Sequence, residues 1–114
     1  MNIPEDGVLL RVFIGESDQW QGKPLYEAIV LKARELHLAG ATVLRGPMGF
    51  GANSRLHTAK VLRLSEDLPM VIEIVDSQQK IDELMPHIDR MVSEGLVTVE
   101  HVRVIRYRSN VVSS

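Results

Sequence analysis

The hydrophobic period of this chain switches between two and about 3.6 residues in a set order, and that order restricts the fold more than any other feature. From Val8 to Ile14 the pattern alternates, with Leu10, Val12 and Ile14 on one side and Leu9, Arg11 and Phe13 on the other. Such alternation predicts a strand. After a polar connection over Gly15–Lys23, Pro24 suits the first turn of a helix, where its missing N–H costs nothing. Leu25, Ala28, Ile29, Ala33 and Leu36 then fall at helical spacing, and Gly40 is the predicted stop. Ala41–Arg45 reads as a second strand, Gly46–His57 as loop, and Lys60–Leu64 as renewed strand. Glu66–Pro69 forms a turn cluster before Met70–Val75, the strongest strand pattern present.

A second helix follows. Asp76 is the predicted cap, with Gln79 as its capping-box partner, and Ile81, Leu84, Met85, Ile88 and Val92 make the apolar stripe. Pro86 interrupts that stripe and should kink the helix or leave one hydrogen bond unmade, and Gly95 supplies the stop. In the last strand Val97 and Val99 alternate in odd register but Val102 and Val104 in even register, so a bulge or break is expected at Glu100–His101. With the middle strands taken as one long hairpin arm and its return, the order is the split βαβ, or ferredoxin-like, α+β sandwich. Right-handed crossovers place both helices on one face of an antiparallel sheet, in strand order 4-1-3-2. A single domain over residues 1–114 is expected, with its core at about 8–107 and a tail over 108–114.

Two helices cover one sheet face only, yet the other face is not polar. Leu9 and Phe13 flank Arg11, Val71 and Val75 flank Glu73, and Ile105 lies beside Arg103. Arg11, Glu73 and Arg103 are expected to form a charged row among apolar neighbours, an arrangement that suits self-association because opposite charges pair when covered. Leu9, Arg11, Phe13, Val71, Glu73, Val75, Arg103 and Ile105 are therefore the candidate interface residues.

The formal net charge is −2, which argues against binding to a nucleic-acid backbone. Its distribution is uneven. No acid lies between Leu36 and Ser65, while Arg45, Arg55, Lys60 and Arg63 give that window +4, leaving −6 for the rest (−2 minus +4). The window also holds four of the eight glycines, Gly40, Gly46, Gly49 and Gly51, a composition that presents backbone N–H groups and guanidinium forks to a small anion. The alternative is an ordinary loop beside a strand with basic exposed positions. Gly49-Phe50-Gly51 lacks the third glycine of a dinucleotide fingerprint, and no Gly-Lys-Ser/Thr ending of a P-loop is present. Ser54 and His57 lie three apart without an orienting acid, a weak catalytic pair. The four histidines show no metal-ligand spacing, and the chain has no cysteine, so no metal, thiolate or disulfide is expected. No apolar run approaches the ~20 residues of a membrane helix and Met1–Gly7 has no leader character, so a cytoplasmic protein is expected.

Several blocks in order resemble a known family: Ile14–Asp18, Gly22–Ile29, Gly40–Gly46, Gly49–Ala52, His57–Lys60 and Pro69–Glu73. Over Leu9 to Tyr107 the chain is similar to the bacterial and archaeal domain of unknown function 190, relatives of the PII signalling proteins. That resemblance implies a PII-like ferredoxin-like fold and a homotrimer whose sheets pack toward a central axis. It further implies a non-enzymatic regulator that binds an adenine nucleotide or other small anion between subunits. Its long loop after the second strand would engage a membrane transporter or enzyme, and no cofactor is implied. Asn53 and Ala52 stand where PII proteins usually carry glutamine and arginine, and Glu94–His101 lacks the basic phosphate-binding turn. An anion then relies on the Gly46–Lys60 segment and its neighbour, with Arg45, Gly49, Gly51, Asn53, Arg55, His57 and Lys60 as candidate contacts. The alternatives are a small oligomeric enzyme with an interface pocket around His57, or a ligand-free interaction module acting on a transporter.

Overall fold

The computed structural model describes residues 6–49, 57, 58 and 68–108. Alternation produces four main strands, β1 (Asp6–Gly15), β2 (Thr42–Arg45), β3 (Pro69–Asp76) and β4 (Leu96–Arg103). They form one antiparallel sheet in the order β2-β3-β1-β4, the expected 4-1-3-2 arrangement read from the other edge. The even-numbered side chains of the two central strands, Val8 to Ile14 and Met70 to Ile74, all face the core. Helices α1 (Leu25–Glu35) and α2 (Gln78–Met91) cover them, and Leu25, Ile29, Ala33, Ile81, Leu84 and Ile88 join the same apolar cluster. One continuous core therefore lies between helices and sheet, held by removal of apolar surface from water.

The helix ends differ from expectation. The last residue of α1 is Glu35, and Gly40 plays no part in stopping it. His37 takes φ +63, its N–H donates to the Arg34 carbonyl at 3.1 Å, and the Leu38 N–H donates to the Ala33 carbonyl at 3.0 Å. This pair of bonds is a Schellman ending, with a histidine in the left-handed position that glycine usually takes. Leu38 is buried, and its hydrophobic anchorage fixes the turn. Across the helix pair, the Lys80 ammonium donates to the Leu36 carbonyl at 3.0 Å, placing a cation at the negative end of α1.

The cap of α2 is Ser77, one residue later than expected: its hydroxyl accepts from the Lys80 N–H at 3.2 Å. Asp76 continues the even series of β3 and so points inward, where it is 1% exposed. Its carboxylate accepts from the Ala39 N–H and the Ser77 N–H, each at 2.7 Å, and thereby ties the α1–β2 connection to the start of α2. Removing this acceptor strands two N–H groups, a loss that charge-assisted bonding makes larger. Asp76→Ala is expected to lower stability by about 2–3 kcal/mol in urea unfolding, and Asp76→Asn by less. An Asp76→Ala variant as stable as the parent would refute this role. Pro86 is exposed within α2, which runs uninterrupted from Gln78 to Met91, and its ring nitrogen has no N–H to offer the Asp82 carbonyl one turn earlier.

No bulge occurs in β4. Eight consecutive residues pair with β1, from Phe13↔Leu96 through Asp6↔Arg103, so Val97, Val99, His101 and Arg103 share the helix side. The even register of Val102 places it opposite Gly7 on the other face, and Val104 lies past the strand end. The Lys60–Leu64 strand expected from the sequence lies outside the described residues.

Candidate functional site

Two regions of this frame can do chemistry, and the first is the root of the β2–β3 connection. The ends of β1 and β2 and the start of β3 meet there, with Gly15 opposite Pro69 and Arg45 opposite Met70. The Gly46 N–H donates to the Pro69 carbonyl at 2.7 Å and the Glu16 N–H to the Leu68 carbonyl at 2.8 Å. Gly46 is required by close approach, because a Cβ there would stand 2.8 Å from Pro69 Cγ. The Gly15 N–H donates to the Asp18 carboxylate at 2.9 Å, and the Asp18 carbonyl accepts from the first N–H of α1, that of Leu25, at 2.8 Å. Outward from this root, Met48–Gly49 pairs with His57–Thr58 as a short antiparallel ladder.

Arg45, the basic residue at this root, forms an ion pair with Glu16 through one terminal guanidinium nitrogen. The arginine side chain is 56% exposed and the glutamate 21%. Of the other candidate contacts, Gly49 and His57 face each other in the short ladder, and Gly51, Asn53, Arg55 and Lys60 lie outside the described residues. Glu16 has no counterpart in the basic window; only the register that brings Gly15 beside Pro69 discloses it.

The second region is the sheet face turned away from the helices. Register places Leu44, Val71, Phe13 and Leu96 in one row across all four strands. The next row is Thr42, Glu73, Arg11 and Thr98, and beyond it come Val75, Leu9 and Glu100. Leu44 and Leu96 are exposed, and the apolar side chains between them are half-buried. Arg11 donates from Nε to Glu73 at 2.8 Å and from a terminal nitrogen to Glu100 at 3.3 Å. The hydrogen bond to Glu73, followed by the charges of Glu73 and Glu100, raises the guanidinium above its ordinary pKa. Arg103 is not in this row: the unbroken β4 ladder sets it opposite Asp6 on the helix side, Thr98 holds the β4 place beside Arg11, and Glu100, one row on, supplies the second partner of Arg11. Ile105 lies beyond β4 and is 82% exposed.

Among the described residues, no group of three His, Asp or Glu side chains is placed to hold a metal, and no helix is long and apolar enough to cross a membrane.

Comparison with known proteins places this geometry. The DUF190 pattern (Uncharacterized ACR) matches residues 7–104. A UPF0166 protein of Aquifex aeolicus (strain VF5) is 38% identical over 97 residues, 85% of this chain and 91% of that protein. Among solved structures, the fold is similar to CPII, a nitrogen regulatory PII-like protein from Thiomonas intermedia K12 bound to ADP, AMP and bicarbonate. The TM-score is 0.69 and the identity 14%, with 89% of this chain and 90% of that chain covered. The divalent ion tolerance protein CutA1 from Ehrlichia chaffeensis has the same architecture at a TM-score of 0.55 and 7% identity, covering 92% and 87% of the two chains. One fold thus serves proteins named for different roles, and the site must decide between them.

Proposed function

The chain belongs to the DUF190 family and has a PII-like ferredoxin-like fold, and on that premise we propose that it is a PII-like regulatory protein. In this reading three copies pack their uncovered sheet faces around an axis, and a small anionic ligand, a nucleotide foremost, binds in the cleft between neighbours. No chemical step on the ligand is involved. The observation that carries the reading is the juxtaposition, at one end of a PII-like sheet, of a clamped β2–β3 root and an exposed arginine. Arg45 is the described cation of the site; Gly49, Gly51, Asn53, Arg55, His57 and Lys60 are the further contacts proposed from the sequence. Ligand binding would select one arrangement of this connection, and a transporter or enzyme in the cytoplasm would recognise it. The ligand chemistry is taken from CPII, which is bound to ADP, AMP and bicarbonate.

Titration calorimetry with ADP, AMP and bicarbonate is the direct test. Saturable heat with at least one adenine nucleotide at micromolar to millimolar concentration is expected. Silence with all three would remove the ligand from the proposal.

A further inference from the structure

We propose that Glu16 is a built-in competitor for the anion site at Arg45: its carboxylate occupies the guanidinium in the free protein, and an incoming oxyanion exchanges for it. The inference deepens the anion-binding reading above and rests on it, while adding a residue that lies outside the basic window.

The geometry sets up the exchange. Glu16 engages Arg45 through one terminal nitrogen, and the arginine side chain is more than half exposed. A guanidinium carries five N–H donors in a planar fork, so donors remain that a phosphate-like group can reach from solvent. Ion pairs this exposed are weak and screened by salt, and an external anion can therefore replace the carboxylate. If Glu16 stayed in place, the ligand would face a like charge beside its own counter-ion. Exchange relieves that repulsion.

Meanwhile the backbone on both sides is anchored. The Glu16 N–H is bonded to the Leu68 carbonyl and the Gly46 N–H to the Pro69 carbonyl, while Pro69 leaves no room for a side chain at Gly46. Exchange therefore turns the Glu16 side chain outward without moving the strand ends. Its released carboxylate stands beside Leu68, where the β2–β3 connection enters β3, so occupancy of Arg45 is converted into a change of surface charge at that junction.

The test is a double-variant cycle at low ionic strength, with inorganic phosphate as the probe and ADP as a second titrant. Glu16→Gln is close in shape and partly exposed, and a thermal melt verifies that it folds. It should bind phosphate about three- to tenfold more tightly than the parent, the size expected from removing one nearby like charge. Arg45→Gln should bind phosphate at least tenfold more weakly, and adding Glu16→Gln to it should restore nothing. Equal phosphate affinity in the parent and Glu16→Gln would overturn the competitor role. So would a gain that persists without Arg45, or no phosphate binding by any variant. ADP binding that is unchanged by Glu16→Gln sinks the competitor and leaves the nucleotide reading standing. A phosphate gain in Glu16→Gln with silence toward ADP does the reverse.

Discussion

Gly95→Ala is expected to destabilise the protein by about 4 kcal/mol, from roughly 2 kcal/mol of backbone strain and a similar overpacking penalty. Gly95 has φ +153, a conformation that L side chains rarely adopt. An alanine Cβ would stand 2.7 Å from the Phe13 carbonyl oxygen, 3.1 Å from Ile14 Cγ2 and 3.1 Å from Val92 Cγ1. The carbonyl cannot retreat, because Phe13 is paired with Leu96 at the start of β4, directly after the glycine. A drop in melting temperature of about 10–20 °C, followed by circular dichroism, is the measurable consequence for a chain of this size. Gly40→Ala is the control, since a Cβ there meets nothing within 4 Å; its effect should stay within about 0.5 kcal/mol. Equal melting temperatures for the two variants would contradict the account of the α2–β4 turn.

These two glycines mark where sequence reading succeeds and where it stops. Both follow an apolar helical stripe and both read as helix stops, but backbone need is invisible in composition. At the end of α1 the buried Leu38 drew the chain around one turn sooner, and His37 bears the left-handed conformation instead. The strand faces were legible because period two is unambiguous in Leu10, Val12 and Ile14 and in Met70, Ile72 and Ile74. Following the same parity one step further would have put Asp76 inside the core, and with it the cap on Ser77. At β4 the parity argument misled: Val97 and Val99 were assumed to share a face with Val102, yet the unbroken ladder puts Val102 on the opposite face beside Gly7, and Val104 lies past the strand end at Arg103, so no bulge is needed.

The candidate site was half legible for a different reason. The basic, acid-free window located the β2–β3 connection and Arg45, since local charge can be counted along a chain. Its counter-ion Glu16 lies 29 positions earlier, and the partners of Arg11 lie 62 and 89 positions away. Such pairs are set by strand register, which a single sequence specifies through hydrophobic alternation only to within the correct face. The face of Arg11 and Glu73 was therefore readable, whereas the choice of Glu100 over Arg103 required the ladder.

Joint substitution of Leu44 and Leu96 by glutamate should convert the protein from the proposed trimer, about 38 kDa for three 12.8 kDa chains, to a 12.8 kDa monomer in sedimentation or light scattering. Both leucines end the same apolar row on the uncovered face, and both are already exposed, at 48% and 57%, so glutamate costs the isolated subunit little. Packed against a neighbour, each carboxylate would lose its water without a prepared partner, a penalty of several kcal/mol per ion. The charges already present at the centre of this face are matched. Arg11 is bonded to both Glu73 and Glu100 and so brings its counter-ions with it into any interface. Truncating that arginine should act in the same direction as the leucine pair, by leaving two carboxylates uncompensated under the neighbouring sheet. Leu31→Glu separates loss of assembly from a general effect of new charge, since Leu31 is 41% exposed on α1, away from the sheet face, and this variant should keep the parent mass. Monomeric parent protein at micromolar concentration, or a leucine-pair variant that retains the parent mass, would show that the apolar row serves something other than contact between copies of this chain.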